Sequence, residues 1–266
     1  MPSHPQPLRR RFVAFAGSLM VAACAAPRPS APAPAPIVTD RPDFTESAVT
    51  VPHRSTQVEM GGTWSREQGV RSVSSGETLI RHGLSPRVEL RVTGASYAVE
   101  RSAVARSQGL EDSGIGFKLA LHDGGDAPAL VPTLGLIVGT SLPTGAANFR
   151  SRRALPESKL LAAWTLHERI GFASNLNWAR AEDSGEPHDE FSGSGSFAFA
   201  LTDRVGAYAE YFAFGERMAR WQRREYVNGG VTFLLHPTLQ LDLRAGLRAD
   251  RPRDGTFVGI GLSRRY

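Results

Sequence analysis

From residue 56 to the end of the chain, apolar and polar side chains alternate with a period of two. The clearest stretch is Leu239 to Arg248. One face carries Leu239, Leu241, Leu243, Ala245 and Leu247, and the other Gln240, Asp242, Arg244, Gly246 and Arg248. Successive side chains of a strand point to opposite faces, so this reads as a strand with one apolar and one charged face. A helix would scatter the two sets around its circumference. The same alternation sets Val88, Leu90 and Val92 against Glu89 and Arg91, and Ile115, Phe117 and Leu119 against Gly116 and Lys118. The predicted strands are 56–66, 77–83, 87–99, 113–121, 129–141, 157–166, 169–180, 190–201, 204–214, 225–235, 238–249 and 256–266. That is about 12 strands, an even number, most of them near the length that a tilted strand needs to cross a bilayer.

The connections repeat as well. Leu166-His167-Glu168-Arg169-Ile170, Leu201-Thr202-Asp203-Arg204-Val205 and Leu235-His236-Pro237-Thr238-Leu239 are variants of one tight turn, and Gly83 to Val88 resembles them. Connections at the opposite ends, around 66–76, 101–113, 142–157, 180–190, 215–225 and 249–255, read as longer polar loops. Short turns on one side and long loops on the other describe an antiparallel transmembrane β-barrel with periplasmic turns. Alternation alone fits a soluble sandwich or lipocalin-like barrel equally well, with the apolar face inward. An export signal, an inward-facing set rich in Gly and charge, and the loop asymmetry select the membrane barrel. The final strand ends on Tyr266, the form of signal read by the outer-membrane assembly machinery.

Facing Arg91 or Arg244 to lipid near the midplane costs roughly 2–4 kcal/mol each, so the charged face lines the interior. The expected lumen-lining residues are Glu59, Arg87, Glu89, Arg91, Lys118, Lys159, Asp242, Arg244 and Arg248. On 204–214, an outward alanine face puts Tyr208, Glu210, Phe212 and Phe214 inside, either as a stacking patch for an apolar ligand or simply filling space. Trp64, Trp164 and Trp178 fall toward strand ends, as interfacial girdles do.

The N-terminus has a different pattern. Arg9-Arg10-Arg11 precedes an uncharged stretch from Phe12 to Cys24, the layout of a secretory signal peptide over 1–24. Val21-Ala22-Ala23-Cys24 resembles a lipobox with Cys24 as the lipidation site, whereas Ala23-Cys24-Ala25 fits an ordinary cleavage site. Residues 25–40 are a Pro-rich linker. Residues 41–55 are a lead-in that either stays solvated in the periplasm or plugs or caps the barrel by pairing Asp40, Arg41, Asp43 and Glu46 with lumenal arginines, and 56–266 is the barrel.

The formal charge of +5 weakens once the three arginines of residues 1–24 are set aside, since 28 basic residues then face 26 acidic ones. That balance excludes a nucleic-acid footprint. A single Cys excludes an intrachain disulfide and a Cys-based zinc site. No nucleophile elbow, Ser-x-x-Lys, His-Glu-x-x-His, phosphate loop or dinucleotide fingerprint occurs, so neither an enzyme nor a cofactor is expected. His122, His167 and His236 fall in periplasmic turns, and His188 in an acidic loop with Glu186, Asp189 and Glu190 that reads as solvated rather than metal-binding.

Asp40-Arg41-Pro42-Asp43-Phe44-Thr45-Glu46-Ser47, then Val51-Pro52 and Gln57 to Gly61, resemble the opening of a Proteobacterial barrel family named for the MetA pathway of phenol degradation. Leu79-Ile80-Arg81-His82-Gly83-Leu84 leading into Arg87-Val88-Glu89-Leu90-Arg91 continues the resemblance, as do Ser141-Leu142-Pro143-Thr144-Gly145 and Phe257 to Ser263. The resemblance implies an outer-membrane transporter, with outer-membrane lipids around it and a small hydrophobic or aromatic permeant. A lipobox departs from it. The competing expectations are a closed barrel with a structural or surface role and, further off, a lipid-modifying enzyme.

Overall fold

A computed structural model of the chain describes residues 34–125, 130–183, 185–216, 223–252 and 255–266. The proposed signal peptide and Cys24 lie outside the described residues. The structure is all β. Twelve strands close into one antiparallel barrel: β1 (Thr56–Glu67), β2 (Val70–Ser85), β3 (Val88–Thr93), β6 (Ser113–His122), β7 (Thr133–Leu142), β8 (Leu155–His167), β9 (Ile170–Asp183), β10 (Glu186–Ala200), β11 (Val205–Glu216), β12 (Arg223–His236), β13 (Leu239–Arg248) and β14 (Gly255–Arg265). β1 pairs with both β2 and β14, so no barrel edge is left unpaired. A further hairpin, β4 (Tyr97–Arg101) and β5 (Arg106–Leu110), pairs with the extracellular end of β2.

The alternation points as expected. Leu243, Ile260, Leu262, Leu160, Leu176 and Phe197 are exposed on the outside, whereas Glu59, Glu89, Lys118, Asn175 and Asp242 are buried inside. Only burying the charged face in the interior lets an apolar band meet lipid. This orientation is that of a barrel that spans a membrane.

Three expectations are corrected. Residues 66–76 are not a loop. β1 turns into β2 through Gln68 and Gly69 alone, at φ 48° and 81°, the left-handed pair that a two-residue hairpin turn requires. β2 then runs the length predicted for loop and strand together. Residues 180–183 and 186–190 are likewise the paired ends of β9 and β10, so His188 is a buried strand residue rather than part of a solvated loop. Strand 87–99 is split, because β2 shifts register at Gly76 and hands its partner over from β3 to β4.

Most periplasmic turns share one device. The register slips by one residue just before the chain leaves β2, β6, β8 and β12, at Gly83/Ser85, Ala120/His122, Thr165/His167 and Leu234/His236. The imidazoles of His167 and His236 then accept the amide N–H groups of Arg169 and Thr238 and tie off those turns.

Candidate functional site

The segment before β1 has no alternation and four prolines between residues 34 and 52, so it cannot join the ladder. It lies inside the barrel instead, packed from Ile37 onward and thus within the stretch read as linker. Irregular backbone at membrane depth persists only where protein groups satisfy it. Here wall side chains do so. Glu59 accepts the amides of Asp40 and Arg41, Glu210 those of Phe44 and Thr45, and Glu89 that of Val51. The carbonyls are met by cations: Val38 and Val49 by Arg81, Pro42 by Arg244, and Ser47 by Lys118.

The segment's own charges complete the network. The Asp40 carboxylate takes Lys118 Nζ at 2.7 Å, Arg81 Nη1 at 3.4 Å and Arg91 Nη1, three cations from three neighbouring strands. Burial pushes the Asp40 carboxyl up, but these cations outweigh it and hold it well below the usual range. Glu46 lies 2.6 Å from both Arg91 and Lys159, and these cations overcome burial to lower it too. Among the described residues, Asp43 has no such partner. Burial, reinforced by the nearby Glu210 charge, raises it well above the usual range despite a 3.2 Å hydrogen bond from Ser196. The anchoring acids are themselves paired, Glu89 and Glu59 with Arg81 at 2.8 and 2.9 Å.

An aromatic stack completes the contact. Phe44 lies parallel to Phe212 with centroids 4.6 Å apart, and Phe212 stacks on Tyr226 at 4.9 Å. Phe214 meets Phe44 edge-on, and the Arg224 guanidinium lies 5.0 Å from the Phe214 centroid. The small residues of β10 make room on the adjacent wall, where Ser194 and Ser196 face Thr45 and Asp43.

Of the residues expected to face the lumen, Glu59, Glu89, Arg91, Lys118, Tyr208, Glu210, Phe212, Asp242 and Arg248 are buried, and Lys159 and Arg244 are half-buried with their charges turned to the segment. Arg248 sits at the extracellular mouth with Glu67 and Asp250. Arg87 is the correction. Its parity matches Glu89, but it falls in the exposed turn between β2 and β3, beyond the wall. Asp40, Glu46 and Arg81 are central and were not on the lumen list. The signal for Arg81 is its register opposite Arg91, since two adjacent guanidiniums demand acids nearby. Near His188, Asp189 and Glu190 pair separately with Arg180 and Arg224.

Besides a space of about 370 Å³ at the periplasmic rim beside Ala48, Val49 and Thr50, two cavities flank the segment. One of about 640 Å³ lies toward the extracellular end between β2, β3 and β6–β9, over Glu46, Arg91 and Lys159, with walls that include Leu79, Ile115, Ile137 and Leu155. The other, about 390 Å³, lies at the periplasmic end between β8 and β13 and includes Thr39, Asp43, Tyr208 and Gln240.

The sequence matches the family model described as "Putative MetA-pathway of phenol degradation" over residues 39–266. No curated protein matches it. Among solved structures, the COG4313 outer membrane channel from Pseudomonas putida F1 is similar, with a TM-score of 0.62 at 14% identity, covering 82% of this chain and 98% of that one. The NanC porin is similar with a TM-score of 0.55 at 9% identity, covering 78% of this chain and 98% of its own. At these identities the likeness shows a shared barrel fold.

Proposed function

Because the chain belongs to this phenol-degradation family of outer-membrane barrels, and its fold is porin-like, we propose that it is a passive channel for small hydrophobic or aromatic solutes, held closed by residues 34–52. The observation that carries this reading is the pair of cavities toward opposite ends of the lumen, each lined in part by the inner segment. A barrel built only for structure has no need of a cavity at each end. The extracellular cavity suits a small solute with an apolar body and a polar tip, having Ile and Leu walls above a floor of paired charges. Only inward-facing groups touch a permeant, so selectivity rests with them.

A specific observation favours the rival closed barrel: the segment's charges and amides are extensively paired. Flux separates the two. The purified barrel in liposomes is expected to admit phenyltrimethylammonium, a permanently charged aromatic that does not cross the bare bilayer, faster than a sugar of similar size. Equal rates for both would remove the aromatic preference, and no flux above empty liposomes would remove the channel.

A further inference from the structure

We propose that Arg41 is the constriction residue of this channel, and that solute passes between its side chain and the wall formed by β13, β14 and β1. The proposal deepens the channel reading and rests on it. Arg41 is the one residue, among the described residues, that lines both cavities, so its side chain borders the extracellular space and the periplasmic one alike.

The barrel holds a seat for that side chain. Gly61 of β1 and Gly261 of β14 are register partners across the seam that closes the barrel. A Cβ added to Gly61 would overlap the Arg41 guanidinium, and one added to Gly261 would overlap Arg41 Nε and the Asp242 carboxylate. Two glycines facing each other therefore leave the groove in which the guanidinium rests.

Arg41 is also held more loosely than Asp40 or Glu46. Asp40 is gripped by three cations and Glu46 by two. Arg41 makes one close ion pair, 2.8 Å to Glu77 at the edge of the extracellular cavity, and one long hydrogen bond of 3.3 Å to the Ile260 carbonyl. Its Nε makes no hydrogen bond and stands 3.9 Å from Asp242. Behind it, both Asp242 carboxylate oxygens and the Ser263 hydroxyl are buried without hydrogen-bond partners. Buried polar groups without partners are costly. Moving Arg41 toward Glu77 lets water reach them, so the gap opens onto a wall that favours hydration. The backbone of the segment need not leave its anchors. With the guanidinium displaced, the acids Asp242 and Glu77 dominate the narrow point, and the open route favours cations.

Planar-bilayer recording of the full barrel in a KCl gradient tests this. Arg41→Ala is expected to raise single-channel conductance several-fold and to shift the reversal potential toward that of K⁺. Adding Asp242→Asn to Arg41→Ala is expected to take back part of that shift, which a merely loosened plug would not do. Gly261→Ala keeps Arg41 but fills its seat, and conductance is expected to rise here too. Heat-modifiable migration on gels reports whether each variant folds. If Arg41→Ala and Gly261→Ala fold and conduct as the wild type while phenyltrimethylammonium still passes, the role of Arg41 is wrong and the channel stands. If neither the wild type nor any folded variant passes ions or solute, the channel reading falls with it.

Discussion

Lys118 on β6 and Asp40 in the inner segment meet with both carboxylate oxygens within hydrogen-bonding distance of Nζ, at 2.7 and 2.9 Å, and both side chains are shut off from solvent. The two partners are not equivalent. Asp40 also answers Arg81 and Arg91, whereas Lys118 answers little else. Removing one member of a buried pair costs about 3–5 kcal/mol because the other charge is stranded. Asp40→Asn leaves Lys118 without a carboxylate and takes a shared acid from Arg81 and Arg91, and it is expected to undock residues 39–52. Their amides then exchange with deuterium far faster, and solute flux rises. Lys118→Met leaves Asp40 with two arginines and is expected to have a distinctly smaller effect. Equal effects from the two variants would show that the pairing counts for less than packing.

The pH dependence follows from the segment's own acids. Asp40 and Glu46 are held below their unfolded values, so the stability they contribute is present above the unfolded pKa and is lost as pH falls through the folded one. Asp43 is raised, so its contribution is present below the unfolded pKa and is lost as pH rises through the folded value. Docking is therefore weakened at both ends, by strong acid through Asp40 and Glu46 and by rising pH through Asp43. Asp43→Asn is expected to abolish the alkaline arm and keep the acid one. Hydrogen exchange of residues 39–52 across pH, corrected for intrinsic rates, reads both arms.

The strands were legible because lipid imposes a strict rule on every second residue, as in Leu239 to Arg248. Where the chain rises out of the membrane the rule lapses. Arg71 to Gly76 therefore read as a loop although it is strand, and the polar β4–β5 hairpin gave no sign of pairing. Arg87 shows the converse failure, since parity says which face a residue takes and not whether the strand has already ended. The inner segment was the least legible part. Its charges suit solvent and a charged lumen alike, and only the arrangement of Arg81, Arg91 and Lys118 around one point selects the lumen.

Phe44 joins the segment to the opposite wall, and its substitution separates the aromatic anchor from the ionic one. Ring pairs contribute about 0.5–1.5 kcal/mol each beyond the area they bury. Phe44 stacks on Phe212 and meets Phe214 edge-on, so Phe44→Ala is expected to weaken docking by about 1–3 kcal/mol from these pairs alone. Phe44→Leu refills volume without a ring and is expected to recover part of that loss. Exchange is expected to quicken at residues 42–46 before residues 47–51, which Lys118, Arg81 and Glu89 continue to hold. Uniform quickening along the segment would mean that it docks as one cooperative unit and that Phe44 has no local role.

The membrane assignment has its own test on a single strand. Leu243 and Arg244 are neighbours on β13, yet Leu243 is 42% exposed on the outside while Arg244 reaches inward to the Pro42 carbonyl and Thr63. In a soluble barrel, an arginine at an exposed position is harmless or helpful. In a bilayer, Leu243→Arg near the midplane costs about 2–4 kcal/mol. Val104, 94% exposed between β4 and β5, serves as the control, since Val104→Arg adds the same charge in water. Denaturant unfolding from lipid vesicles is expected to show the penalty at 243 and none at 104. The same pair in a short-chain detergent micelle, which deforms around a charge, is expected to show a smaller gap. Were Leu243→Arg as stable as the wild type in vesicles, the outer face of β13 would not be touching hydrocarbon.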